Sequence, residues 1–549
     1  MEVEAYFDSA SPFHELSLGH HPEAIPDGDA QALAGHHQAH LAFRDRLNAF
    51  ANMKLDRQDE LSLRTMQLKL GDYIDHFEFG LHLLPMDAEG GFYNRILFHL
   101  PRLPFRTHED FDAYLNWLPS YVDWLESCRQ LLELGIAKGI VAPGVIVKNN
   151  LGLLAPFLCG MDDHPLMKPF ASLGDIEPRH ATRIIAAADT LFSERILPAY
   201  ENLEAFLAGE YLDAAYDTVG VSEMPDGRDW YENRIAFYTT LDLSPEEVFR
   251  EGEKEVSRIR ALMESVIDGA GFDGGFDAFV EHLRRDPSFY PTTPEQLLHH
   301  AAWLAKQSEG KLPQLFGRLY RIPFTVEPVP DAIAPNYTAG RYVPADVESR
   351  RPGIYWVNVF NLSSRSLYNL PALTLHEAVP GHHLQISLAR ELTDIPEFRN
   401  DYYISAFGEG WGLYAEFLGE EMGMYRTPFE QFGRYSYEMW RACRLVVDVG
   451  MHYKGWTREQ AIDFLRDNTA LSEHEVETEI DRYIGWPGQA VSYKIGELTL
   501  KRLRTEAEQA LGDRFDLRAF HDTVLQNGSI PLDLLEEEVR RYIADVLSG

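Results

Sequence analysis

Three histidines and one glutamate fall within eight residues of an apolar segment in the C-terminal half of the chain. They are His376, Glu377, His382 and His383. Imidazole nitrogens bind divalent transition metals, and a carboxylate beside such an ion can take a proton from water. These residue types therefore predict a metal site with an adjacent general base.

The spacing of the histidines differs from that of the zinc-protease motif His-Glu-x-x-His, whose two histidines share one helix face. In a regular α-helix each residue turns by about 100° and rises by about 1.5 Å. His382 would then lie about 240° around the axis from His376, and His383 would lie about 10 Å along it. Because Zn–N bonds are only about 2.0–2.1 Å long, neither pair can share one ion on a regular helix.

A Pro380-Gly381 pair stands between the histidine positions. Proline removes a hydrogen-bond donor and clashes with the preceding turn, while glycine frees the backbone. We therefore predict that two residues loop out here, so that His382 takes the place of the second histidine of the motif. His383 is the rival ligand. The alternative to a metal site is a helix that ends at Pro380 and is followed by surface histidines.

A second segment with acidic residues follows at positions 409–416, with the sequence EGWGLYAE. A catalytic zinc site needs a third protein ligand and leaves one position open for water. The segment resembles the Glu-Gly-Phe-Ala-x-Tyr-x-Glu stretch that carries the third ligand in aminopeptidase-N-like enzymes. The resemblance implies that Glu409 is this ligand. Glu416 lies two turns later on the same helix face, which suits an alternative ligand or a carboxylate that supports one.

Four long segments stand in order along the chain, at residues 370–385, 409–416, 441–452 and 482–496. On these segments the chain is identified as a member of the bacterial domain-of-unknown-function family 885 (DUF885), which is placed with the gluzincin-like metallopeptidases. The resemblance implies a mainly helical, zincin-like metallopeptidase fold. It also implies a small β-sheet that flanks the active-site cleft.

The resemblance implies a chemistry as well. One Zn²⁺ per chain would be held by His376, His382 and Glu409. Glu377 would then be the general base for the water that hydrolyses a peptide bond, and we expect short peptides as substrates. The alternatives are a zinc hydrolase of a non-peptide amide and a catalytically inactive relative that binds peptides or serves as a scaffold.

Peptide hydrolysis also needs a hydrogen-bond donor for the developing oxyanion. Related proteases use a downstream tyrosine or histidine, and Tyr493 is the candidate in this chain; the alternative is a packed tyrosine. Gln489 lies one turn before it and could face the same site. Asp448 shares a predicted helix face with Arg441 and Arg444, so it is either a partner for a metal-bound histidine or a brace for an arginine.

The composition of the chain limits the kinds of binding partner and the cellular compartment that we expect. The chain has 549 residues, a net charge of −36 and three cysteines without a CxxC pair. The acidic balance argues against nucleic acid, and the cysteines predict neither a disulfide framework nor a thiolate metal site. The N-terminus lacks the features of a signal peptide, and no apolar run of about eighteen residues predicts a membrane span. We therefore expect a cytoplasmic protein.

The rest of the sequence supplies the elements that position these residues. Apolar residues recur at three- and four-residue spacing through most of the chain, which predicts helices. One helix is predicted to start at Ser244, which is followed by Pro245 and Glu247. Residues 143–147, with the sequence PGVIV, are expected to form a short extended segment.

Residues 322–360 are rich in β-branched and aromatic residues and predict two to four short strands just before the histidine segment. The edge of such a sheet can hold an extended peptide, or the sheet can simply brace the following helix. We expect a helical N-terminal lobe at residues 1–217 and a catalytic lobe at residues 218–549. In the catalytic lobe, metal-site helices are expected at residues 364–424 and further helices from there to residue 549.

Overall fold

The computed structural model describes residues 2–50, 53–331, 333–345 and 350–549 of the chain. Helices make up 69% of the structure, and the strands are few and short. The prediction of a mainly helical protein with a small sheet is therefore confirmed. Within these described ranges, no helix is long and apolar enough to cross a membrane.

The chain divides into two compact units. The first unit comprises Met1–Lys54, Met66–Trp230 and Asp481–Trp486, and the second comprises Leu55–Thr65, Tyr231–Ile480 and Pro487–Gly549. The lobe boundary that the sequence places after residue 217 stays a prediction.

The N-terminal part of the chain is built from helices and two very short strands. The strands are β1 (Met86–Asp87) and β2 (Gly90–Gly91). The helices are α1 (Glu2–Ala10), α2 (His14–Ser17), α3 (Ala30–Phe50), α4 (Arg57–Glu78), α5 (His108–Lys138), α6 (Gly144–Leu154), α7 (Pro178–Leu191), α8 (Leu197–Phe206), α9 (Leu212–Ala214) and α10 (Gly227–Thr239).

One prediction for this part of the chain is wrong. Residues 143–147 do not form an extended segment, because helix α6 begins at Gly144, directly after Pro143. Ile146 and Val147 are buried on that helix. Their burial outweighs the modest preference of β-branched residues for strands.

The C-terminal part of the chain contains one three-stranded sheet among helices. The strands are β3 (Phe324–Pro328), β4 (Gly340–Val343) and β5 (Gly353–Val357). The helices are α11 (Pro245–Gly269), α12 (Phe276–Arg285), α13 (Pro294–Glu309), α14 (Leu312–Leu315), α15 (Leu370–Glu377), α16 (His382–Arg390), α17 (Phe398–Asp401), α18 (Ser405–Glu421), α19 (Pro428–His452), α20 (Arg458–Asn468), α21 (Glu473–Gly485), α22 (Ser492–Leu511), α23 (Leu517–Leu525) and α24 (Leu532–Ser548).

The helix start predicted at Ser244 is confirmed. The hydroxyl of Ser244 accepts the Glu247 N–H at 3.3 Å, and the Glu247 carboxylate accepts the Ser244 N–H at 2.9 Å. Pro245 is the first residue of α11, where a missing N–H costs no helical hydrogen bond. These reciprocal bonds fix the start of α11, which packs along α19.

Two to four strands are predicted within residues 322–360, and the three that form make a mixed sheet with the order β3-β5-β4. β3 runs parallel to β5, and β4 runs antiparallel to β5 with Tyr342 opposite Tyr355. β4 is therefore an edge strand. The sheet precedes α15 in the chain, and the hydroxyls of Tyr355 and Thr374 lie 3.4 Å apart, so β5 contacts the helix that carries His376.

Helix α19 runs through the interior of the second unit, and most of its side chains are buried. Several of them are charged, and burial of a charge is costly unless a partner is present. Glu438, for example, lies 2.6 Å from Arg434 and 2.8 Å from the fully buried amine of Lys494. Paired charges of this kind connect α19 to α22, the helix that begins just before Tyr493.

Candidate metal centre

The segment that joins His376 to His382 breaks the helix. Helix α15 ends at Glu377 and helix α16 begins at His382, so residues 378–381 lie between two helices. A Cβ on Gly381 would collide with the carbonyl oxygen of His376, which leaves room for glycine alone. The sequence predicted two residues looped out of one helix, whereas the structure has a four-residue connection between two helices.

The break brings His376 and His382 together with Glu409. One side-chain atom of each residue lies within 4.8 Å of the other two. The Oε2 atom of Glu409 lies 3.5 Å from Nε2 of His376 and 3.6 Å from Nε2 of His382. Both histidines are buried, in contrast to the surface histidines of the alternative prediction. Two imidazoles and one carboxylate are a donor set typical of catalytic zinc.

Helix α18 presents Glu409 to the two histidines, and its neighbouring Gly412 makes space for one of them. A Cβ on Gly412 would lie 2.6 Å from Cε1 of His376. This distance is much shorter than a van der Waals contact, so the imidazole can approach the helix only because residue 412 has no side chain. Of the two glycines within residues 409–416, Gly412 is thus explained by the position of His376.

Glu416 orients His376 through the ring nitrogen that does not face Glu409. Its Oε1 atom lies 2.8 Å from Nδ1 of His376 and 3.5 Å from the guanidinium of Arg441. A carboxylate at Nδ1 favours the tautomer with the proton on that nitrogen, which leaves Nε2 free to bind an ion. Burial disfavours the imidazolium form, but Glu409 and Glu416 outweigh it and raise the pKa of His376 to about 9.

Tyr403 holds the other oxygen of Glu409. Its hydroxyl donates to Oε1 at 2.8 Å, while Oε2 faces the histidines. The hydrogen bond therefore fixes the orientation of the carboxylate. Tyr403 as a whole residue is 43% exposed. Sequence patterns do not indicate this residue, because it precedes α18 in a loop without periodic signal.

Glu377 is held at the edge of the sheet. Its Oε2 atom accepts the backbone N–H of Tyr342, on β4, at 2.7 Å. This contact places the carboxylate of Glu377, the residue that follows His376, next to the edge strand. The second carboxylate oxygen of Glu377 has no hydrogen bond in the part of the chain that the structure describes.

His383 points away from the cluster and packs on the sheet. Its Nδ1 atom lies 2.9 Å from the hydroxyl of Tyr342, and its ring contacts Tyr320 and Phe324 with centroid distances of 4.4 Å. Burial lowers the pKa of His383 to about 4. Of the two rival histidines, the structure thus brings His382 to His376 and places His383 in a packing role.

The other candidates from the sequence lie on α19 and near the start of α22. Tyr493 is half-buried beneath the guanidinium of Arg444, which lies 4.2 Å from the ring centroid. The side-chain amide of Gln489 is 3.4 Å from the hydroxyl of Ser405. Neither residue is one of the three described residues that form the cluster.

Asp448 lies elsewhere on α19. Its Oδ1 atom accepts the hydroxyl of Tyr231 at 2.6 Å and the backbone N–H of Gly488 at 3.0 Å. Glu416 is the carboxylate at Nδ1 of His376, and the bond from Asp448 to Gly488 fixes the turn before α22. The role of Asp448 as a partner for a metal-bound histidine or as a brace for an arginine stays a prediction.

A family comparison covers almost the whole chain. The model of the family described as "Bacterial protein of unknown function (DUF885)" matches residues 12–539. The chain belongs to this family. Its name assigns no activity, and no curated protein matches the chain.

Two solved structures share the fold. A protein titled "putative lipoprotein" from Colwellia psychrerythraea is 25% identical, with a TM-score of 0.87 and 99% of each chain covered. A "putative lipoprotein of unknown function" from Shewanella oneidensis is 18% identical, with a TM-score of 0.74 and 97% of this chain and 98% of that chain covered. The word lipoprotein describes those two proteins. A cytoplasmic location for this chain stays a prediction.

Proposed function

We propose that the protein is a zinc-dependent peptidase that hydrolyses short peptides. The observation that carries the proposal is the buried cluster of His376, His382 and Glu409, with the carboxylate of Glu377 one residue away at the sheet edge. They are the residues that the family resemblance implies as ligands and as general base.

The donor set fits zinc. His376 and His382 would bind through Nε2 and Glu409 would bind through Oε2, because these are the atoms that face one another. The supporting contacts also fit, since a ligand histidine usually donates its second N–H to a carboxylate such as Glu416. A bound Zn²⁺ supplies Lewis acidity, which polarises a carbonyl and lowers the pKa of water to about 7.

Glu377 is the proposed general base. The backbone N–H of Tyr342 holds one of its oxygens, which leaves the other oxygen to take a proton from water. The same carboxylic acid can then deliver the proton to the leaving amine. Since the hydrogen bond comes from the sheet backbone, the base is positioned without a flexible partner.

Two tyrosines are candidates to donate a hydrogen bond to the developing oxyanion. Tyr493 is the residue that the sequence selected, and it stacks on Arg444. Tyr403 is closer to the proposed ligands, because its hydroxyl donates to Glu409 at 2.8 Å. We assign Tyr403 to the positioning of Glu409 and keep Tyr493 as the proposed oxyanion donor.

The surrounding elements support a zincin-like arrangement. An antiparallel edge strand, β4, lies beside the helix that carries the first histidine and the base. An edge strand in this place can bind an extended peptide by β-augmentation, which presents a backbone carbonyl to the water that the base activates. The fold thus supports a peptide over a bulky non-peptide amide as the substrate.

The test combines metal content with turnover. We expect about one zinc per chain by elemental analysis, and its loss in His376→Ala. Glu377→Gln should keep the metal and lose turnover of a peptide library by about 10²- to 10⁴-fold, because only the base is removed. Wild-type turnover in the Glu377→Gln variant would contradict the mechanism. Cleavage of non-peptide amides without cleavage of peptides would favour the alternative hydrolase.

A further inference from the structure

Arg365 carries a half-buried positive charge that no carboxylate of the described residues contacts. Its Nε atom donates to the carbonyl of Asn358 at 3.1 Å. In the residues that the structure describes, no carboxylate oxygen lies within 4.0 Å of its guanidinium nitrogens. Glu475 acts on it only from a greater distance, and burial lowers the pKa of Arg365. A partly desolvated cation of this kind is costly unless an anion approaches it.

The sheet register places Arg365 at one end of the edge strand. Asn358 directly follows β5, and its N–H donates to the carbonyl of Ala339 at 2.9 Å, just before β4. Tyr342, which holds Glu377, lies three residues further along the chain than Ala339. At about 3.3 Å per residue, Arg365 is therefore fixed roughly 10 Å along the strand from the general base.

The outer edge of β4 can accept a peptide between these two points. Because Ala339 pairs with Asn358 through a hydrogen bond, residues in the alternate positions, Gly340 and Tyr342, turn their N–H and C=O groups away from β5. The Tyr342 N–H already points to Glu377, in agreement with this alternation. An extended peptide would pair with the same edge.

We propose that Arg365 binds the C-terminal carboxylate of the peptide substrate. The inference rests on the proposed peptidase function. A guanidinium attracts a carboxylate and repels a terminal amine, so the charge sets the direction of the peptide antiparallel to β4. Two residues between the scissile carbonyl and the terminus span about 6.6 Å, and the hydrogen bond from the guanidinium to the carboxylate adds about 3 Å, which together fill the separation of roughly 10 Å. The protein should therefore release C-terminal dipeptides from short peptides.

The test compares N-acetylated tetrapeptides prepared as free acids and as C-terminal amides. The zinc-loaded wild type should cleave the free acids about ten- to a hundredfold more efficiently, as expected for a charge-assisted hydrogen bond. In Arg365→Gln the acid-to-amide ratio should fall to about one, mainly through KM for the acids. Mass spectrometry should show dipeptides as the products.

Arg341→Gln is the matched control. Arg341 is also an arginine of this sheet, but it is exposed and stacks on Tyr337 at 5.4 Å. Its removal should keep the preference for free acids. An amidated tetrapeptide that ends in glutamate separates the two sources of a carboxylate. If this amide is cleaved with the same efficiency as the free acids, a side-chain carboxylate is recognised and the assignment to the terminus is overturned.

Failure of this inference can be distinguished from failure of the proposed function. Equal cleavage of acids and amides would overturn the role of Arg365 and leave the peptidase intact. Absence of all cleavage would count against the peptidase function. The role of Arg365 is then decided by measuring how tightly the protein binds the peptides. Calorimetry on Glu377→Gln should show tighter binding of free acids than of amides, and this difference should disappear when Arg365→Gln is added; equal binding would overturn the inference.

Discussion

Tyr403→Phe tests how the proposed ligand Glu409 is oriented. The substitution removes one hydroxyl, whose hydrogen bond to Oε1 is 2.8 Å long, and leaves the ring in place. A hydrogen bond to a charged group contributes about 1.5–3 kcal/mol, and loss of a ligand-supporting contact typically weakens metal binding by about 10- to 100-fold. Because Tyr403 is 43% exposed, water can replace part of the hydrogen bond, and we expect the lower limit of the loss in metal affinity.

The expected result is a zinc affinity reduced about tenfold, which corresponds to roughly 1.4 kcal/mol. Competition titration against a zinc-binding dye measures it directly and does not depend on turnover. Tyr453→Phe is the control, since the Tyr453 hydroxyl also donates to a glutamate, Glu232, at 3.2 Å but is outside the cluster. Equal zinc affinities of wild type, Tyr403→Phe and Tyr453→Phe would refute the positioning role of Tyr403.

Two further predictions concern His376. Gly412→Ala places a Cβ 2.6 Å from Cε1 of His376 and should reduce the bound zinc per chain in elemental analysis. Gly269→Ala is the control and should keep the zinc, since a Cβ there has no neighbour within 4 Å. Equal zinc in both variants would contradict the close packing of Gly412 and His376. The pKa of His376 rises from 6.5 to about 9 on folding, so its contribution to stability is complete below pH 6.5 and is lost as the pH rises through 9. The unfolding free energy of chelator-treated protein, measured by urea titration, should therefore fall between pH 6.5 and 9. His376→Gln should remove this part of the pH dependence. The same pH dependence in wild type and variant would exclude His376 as its source.

The sequence was sufficient to select residues that the structure brings together. Helix geometry alone excluded a shared ion for His376 and His382 on a regular helix, and the Pro380-Gly381 pair indicated where the helix must break. The form of the break was not predictable. Whether two or four residues leave the helix depends on the packing of Gly381 against the carbonyl of His376, which no periodic pattern encodes.

Contacts between distant segments were also beyond the sequence. Tyr403 is six residues before Glu409, and its role depends on the path of a loop. The hydrogen bond from the Tyr342 N–H to Glu377 depends on strand register, which is set by pairing with β5. The wrong prediction for residues 143–147 has a similar cause, because tertiary burial of Ile146 and Val147 outweighed their local preference for strands.

The helix break between Glu377 and His382 separates two properties that the short zinc motif keeps together. In that motif, one turn of helix sets both the distance between the histidines and the direction of the chain. Here residues 378–381 set the distance, and α16 is free to take its own direction afterwards. Changes in the length of this connection can therefore alter the cluster while both helices remain intact. A pattern search that requires a four-residue histidine spacing will not detect centres built in this way.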